Sequence, residues 1–139
     1  MSILKTTKGK QKIKIEESDF VFCTESHSFN ISIATLFKCS DTATILNSMI
    51  FWRRKNMAND NNFHDNNYWS RMTIEAWNEA YPYMTPRKID GILRRLEENG
   101  YIATGNYNKS KYDRTKWYAL TEKASNILGF PFHKMGNDI

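Results

Sequence analysis

Between residues 85 and 100 the chain reads TPRKIDGILRRLEENG, and its apolar positions Ile89, Ile92, Leu93 and Leu96 follow the i, i+3, i+4, i+7 spacing of one helical stripe. Thr85 suits the N-cap, Pro86 the first helical position, where an amide is not needed, and Gly100 the left-handed exit. The pattern predicts a helix of about four turns with that stripe buried. A similar spacing follows Asp41, where Ile45, Met49 and Trp52, beside Leu46 and Ile50, predict a first long helix. Its wide apolar face suits a core helix or a dimer seam, and Arg53, Arg54 and Lys55 are placed at its end, where the helix dipole accounts for them. Thr73 caps a further helix, IEAWNEAYPY, that ends near Pro82. The run FNISIATLF fits a short strand or a short helix.

Beyond Gly100 the period changes from 3.6 to 2. YIATG and TKWYALT predict two strands around the polar connection NYNKSKYDR, and TEKASNIL predicts a short last helix. Upstream, the Asn- and Asp-rich NDNNFHDNN predicts a loop or hairpin tip, and YWSRM a small strand. Helix, tight turn, helix and hairpin form the order of a winged helix-turn-helix with a C-terminal β-hairpin wing, so the expected fold is α+β and mainly α. Residues 1–18 hold five lysines before the first acid and predict a flexible basic arm; residues 19–128 form the domain and 129–139 a tail. Phe130 and Phe132 predict that this tail docks on the domain or on a second copy.

At 139 residues the chain suffices for one domain with a core. Its net charge of +5 favours an anionic partner, nucleic acid foremost. On the helix at 85–100, Arg87, Gly91 and Arg94 stand opposite the apolar stripe with Lys88 and Arg95 on the shoulders, and Glu97 and Glu98 are confined to its C-terminal end. A solvated charged face is the plain reading of such a row. The DNA-reading alternative assigns Arg87 and Arg94 to base edges, because bidentate arginine on guanine is the commonest specific contact. Gly91 costs about 1 kcal/mol against alanine, which close approach of a groove wall would explain, as would an accident of packing. The hairpin connection supplies Lys109, Lys111, Arg114 and Lys116, with Tyr107 and Tyr112 as hydrogen-bonding phenols. The lysines, with Lys88 and Arg95, are phosphate candidates. Asp113 is expected to pair with Arg114 and shape the loop.

Catalytic and metal chemistry find little support, and no cofactor is expected. The chain has no phosphate-cradling glycine loop, no His-Glu-x-x-His and no Cys-x-x-Cys. A zinc site would need Cys23, His27, Cys39 and His64 to converge from distant positions, and Asp60, Asp65 and Glu75 form only a scatter of carboxylates. No apolar run reaches the length of a membrane span, so no membrane partner is expected; a cytoplasmic setting with Cys23 and Cys39 as ordinary thiols is. The glycosylation triplets at Asn30 and Asn108 carry no weight without secretion.

The segment from Tyr68 to Ala124, with YPYMTPRKI, LRRLEENGYI and above all GNYNKSKYDRTKWYALTEKA, resembles small winged-helix replication proteins of phages and mobile elements. Those are similar to the N-terminal domains of DnaD-type replisome organisers, and YALTEKA also resembles the wing exit of MarR-like and PadR-like regulators. The resemblance is clear from Tyr68 to Ala124 and extends more loosely back through the first long helix. It implies duplex DNA binding through Arg87, Lys88, Gly91, Arg94 and Arg95 with the wing lysines in support, in replication initiation or transcription regulation. A stand-alone binder, or a module with a replication partner, fits the length better than a complete initiator.

The main competitor is a winged helix used as a protein-interaction module that inhibits or recruits host machinery. Single-stranded or structured RNA ranks lower, because Trp52, Trp69, Trp77 and Trp117 all fit core positions rather than stacking platforms. Homodimerisation through the first long helix or the tail would imply a two-fold DNA site.

Overall fold

The apolar stripe on residues 85–100 is the seam on which the other elements close. The computed structural model describes residues 26–133; the basic arm at 1–18, Cys23 and the end of the tail lie outside them. Among the described residues, five helices and two small antiparallel sheets follow in the order α1 (Ile31–Phe37), α2 (Ser40–Asn59), β1 (Phe63–His64), β2 (Asn67–Tyr68), β3 (Ser70–Arg71), α3 (Ile74–Ala80), α4 (Pro86–Glu98), β4 (Ile102–Gly105), β5 (Trp117–Leu120) and α5 (Glu122–Leu128). The fold is α+β with helix predominating. The ambiguous FNISIATLF is helical: Asn30 caps α1 through its side-chain oxygen, and Lys38 closes it in the left-handed region at φ 54°.

Each later helix also begins at a residue able to accept from its free amides. The thiol of Cys39 accepts from Thr42, and Thr73, Thr85 and Thr121 cap α3, α4 and α5. Residues 81–85 join α3 to α4, a turn held by the Asn78 amide donating to the Met84 carbonyl at 2.7 Å. The α4 exit follows the predicted left-handed course, with Gly100 at φ 82° and the Tyr101 amide donating to the Leu96 carbonyl at 2.9 Å.

All four residues of the predicted stripe are buried, Ile89 at 0% exposure, and they meet Ile45, Leu46 and Met49 of α2, Met84 of the turn and Leu120 of β5 in one core. The strands order as β3-β5-β4, with Ser70 opposite Tyr118 and Ile102 opposite Leu120. Central β5 is buried along its whole length. Its period-2 pattern therefore separates two apolar clusters rather than core from solvent: Tyr118 and Leu120 enter the main core, and Trp117 and Ala119 pack with Trp69. Gly105 sits beneath that second cluster, where a Cβ would meet the Tyr107 ring at 3.0 Å and Trp69 at 3.3 Å. The predicted hairpin tip at 59–67 is formed by β1 and β2, with Asp65 and Asn66 both at positive φ, the geometry that favours Asp and Asn there.

Two expectations on α2 are corrected. Trp52 is 45% exposed rather than part of the core, because the stripe that enters the core runs through Ile45, Met49 and Arg53 and leaves Trp52 and Phe51 outside. Arg53, Arg54 and Lys55 do not sit at a helix end, since α2 continues to Asn59, and Arg53 is itself buried. Phe130 is buried in the main core, so this part of the tail docks on its own domain.

Ile92→Ala is expected to lower stability by about 2–5 kcal/mol in denaturant unfolding, as for large-to-small changes in closed cores. Exposed Arg87→Ala on the same helix is expected to stay within about 0.5 kcal/mol. Equal losses would contradict this assignment of faces.

Candidate nucleic-acid interface

With the stripe buried, α4 turns Arg87, Lys88, Arg94 and Arg95 outward. Their surroundings differ. Lys88 pairs with Asp41 in the first turn of α2 at 2.5 Å, a contact that ties the two helix N-termini together and raises the lysine pKa. Arg94 pairs with Asp90 one turn earlier at 2.6 Å. Both partners of that pair are largely exposed, so it is worth only about 0.3–0.5 kcal/mol and yields readily to a stronger acceptor. Among the described residues, Arg87 and Arg95 make no ion pair. Gly91 is overlain by the Arg95 guanidinium, whose nearest nitrogen would be 3.4 Å from an added Cβ. That is ordinary contact with a flexible side chain, so the fold itself does not require glycine at this position.

The connection between β4 and β5, residues 106–116, is held in shape by a polar network that residue types and spacing alone do not reveal. Asn108 is its hub: its amide donates to the carbonyls of Asp113 at 2.9 Å and Thr115 at 2.8 Å, and its oxygen accepts from the Trp117 indole at 2.8 Å and from Arg71 Nε at 2.9 Å. Arg71 of β3 also pairs with Asp113. The expected Asp113–Arg114 pair is thus corrected: Arg71 reaches the carboxylate across the sheet, and Arg114 is left exposed. Hydrogen bonds from Thr115 and Arg71 hold the Asp113 carboxyl down at about 2. The Tyr107 phenol does hydrogen-bond, donating to Asp65 within the fold. It stacks on His64 at 4.4 Å and packs against Trp69 and Trp117, and burial together with its bond to Asp65 pushes its pKa up to about 12. Tyr112 does point outward, at 82% exposure.

The loop cations fall into two groups. Lys109 and Lys111 are exposed in the connection, Lys111 lying over the Tyr112 ring at 5.4 Å. Arg114 and Lys116 line an open cleft of about 490 Å³ whose other walls include Thr73 at the start of α3 and Asp90 of α4. The structure thus brings the root of the loop beside Asp90, the one α4 residue that lines this cleft. Sequence spacing does not reveal this, because Asp90 and Arg114 come to line one cleft only through the β3-β5-β4 pairing.

Among the described residues, no helix is long and apolar enough to cross a membrane, and no cluster of His, Cys, Asp and Glu is arranged to hold a metal ion. His64 is engaged by Tyr107 and Cys39 caps α2, while Asp60 accepts from the Tyr68 hydroxyl. No protein-family model, no curated protein and no solved structure matches the chain.

Asp113 also makes stability depend on pH. Its folded pKa of about 2 lies below the ordinary 3.8, so its contribution is fully present above 3.8 and is lost as pH falls through about 2. In Asp113→Asn the decline of stability with acidification across that window is expected to become shallower, measured by denaturant unfolding at a series of pH values. An unchanged decline would contradict the network.

Proposed function

We propose that the protein binds double-stranded DNA as a winged helix, with α4 in the major groove and the 106–116 loop as the wing. The observation that carries this reading is the exposed row of cations on α4 with exposed Lys109, Lys111, Arg114 and Lys116 in the following loop, whose root lines one cleft with Asp90 of α4. Arg87 and Arg95 stand exposed on the same helix without an ion pair among the described residues. A helix followed by a cationic hairpin is the geometry with which a duplex is held at a groove and along its adjoining phosphates. Arg87 and Arg94 are assigned to base edges, and Arg95, Lys109, Lys111, Arg114 and Lys116 to the backbone. Lys88 serves mainly to join α4 to α2. Gly91 allows the Arg95 side chain, or a groove wall in its place, to lie close to the helix. Replication initiation or transcription regulation in a phage or mobile element is the role that the sequence resemblance supports.

A second reading draws on a different surface. Phe51 and Trp52 form an edge-to-face pair with centroids 5.4 Å apart on the exposed side of α2, at 54% and 45% exposure. Such a pair suits a protein partner or a second copy.

Selection from a random duplex pool across a salt series, with native protein and an Arg87→Ala, Arg94→Ala double variant, separates these readings. DNA reading predicts enrichment of one motif by the native protein and its loss in the variant, at about 1–3 kcal/mol for each bidentate contact. Lys111→Ala is expected to flatten the salt slope by about one while keeping the motif. Weak, unselective binding that is the same in all three proteins would contradict DNA reading and favour the α2 surface.

A further inference from the structure

A cavity of about 270 Å³ lies between α2, β3, β5 and α3, and Met49, Trp52, Arg53, Trp77 and Leu120 are among its walls. Arg53 and Trp77 are 4% and 3% exposed. Each leaves one buried donor without an acceptor among the described residues, Arg53 Nε and Trp77 Nε1. Such orphans are rare in folded proteins and call for a physical account. The other two nitrogens of Arg53 donate to neutral oxygens only, the Asn67 side chain and the Phe132 carbonyl, and the guanidinium lies over the Phe132 ring at 4.4 Å. No carboxylate reaches it within ion-pair distance among the described residues.

A guanidinium held out of water without a countercharge is costly, and an anion relieves that cost. Burial pulls its pKa below the ordinary arginine value, which is the same cost expressed as proton affinity. The remaining walls are mainly apolar and aromatic, so an inorganic anion would leave most of the cavity unfilled. At about 270 Å³ the volume lies just below the range of drug-sized sites. Half-exposed Trp52 gives the cavity an amphipathic rim.

We propose that this cavity binds a compact organic carboxylate with an apolar body, the carboxylate neutralising Arg53 and an acceptor of the ligand taking the Trp77 N–H. Both orphan groups are covered by neighbouring atoms, so binding includes a side-chain shift that turns them toward the ligand. The site is separate from the α4 surface, and the proposal does not depend on DNA binding.

The test is a calorimetric and tryptophan-fluorescence titration of the full chain with benzoate, hexanoate and octanoate, each against its neutral primary amide. Saturable binding of at least one acid is expected, about ten-fold or more tighter than its amide. Arg53→Gln is expected to abolish that preference, and Trp77→Phe to weaken the acid several-fold with the fold intact. Should Arg53→Gln fail to fold, the acid-to-amide ratio in the native protein and the Trp77→Phe titration decide the matter. Absence of saturation by every acid into the millimolar range, or equal affinity for acid and amide, overturns the proposal.

Discussion

Burial of Ile89, Ile92, Leu93 and Leu96 determines which way every other side chain of α4 points. Each of these apolar residues contributes about 1.5–3 kcal/mol by leaving water, and together they lock the rotation of the helix about its axis. Rolling α4 by one position would expose isoleucine and bury arginine, so the outward direction of Arg87, Arg94 and Arg95 follows from the core rather than from any interaction of their own. The Thr85 cap and the Gly100 exit set the ends of the helix, and the Asn78 to Met84 bond sets where it begins relative to α3.

The second constraint is polar. The 106–116 connection is longer than a tight hairpin turn, and few apolar contacts hold it. Asn108 closes it from within, Arg71 and Asp113 brace it from the neighbouring strand, and Tyr107 anchors its first residues on His64 and Trp69. Lys109 and Lys111 can therefore be exposed on a shaped loop at modest cost, since the order is supplied by residues that carry no net positive charge outward. The acids Asp41, Asp90 and Asp113 pair within the fold, while Arg87, Arg95, Lys109, Lys111, Arg114 and Lys116 are exposed.

The helices from α2 onward were legible in the chain because their apolar spacing and, for α3 and α4, their threonine caps are signals that act within a few residues. The short run that forms α1, by contrast, fits a strand equally well. The turn at Asp65 and Asn66 was legible locally too, since residue type and positive φ agree there. Arg53 does not sit at a helix end as the dipole argument expects, because α2 continues to Asn59 and the long side chain runs inward among Tyr68, Phe130 and Phe132, which lie distant in sequence. Trp52 was misplaced because its apolar ring suggested the core, but the helix turns it out. Of the interface, the cationic face of α4 was legible by periodicity. The cleft shared with Arg114 and Lys116, and the hub at Asn108, required the strand order, which spacing along one chain does not specify.

The central claim is that one surface, composed of α4 and the 106–116 loop, meets the duplex. Backbone amide shifts in an NMR titration of the full chain with duplex DNA test it most directly, because they locate the contact residue by residue. The account predicts perturbations concentrated in residues 86–95 and 106–116, with little change at Phe51 and Trp52. Perturbations centred on α2, or none beyond uniform salt-sensitive drift, would contradict it.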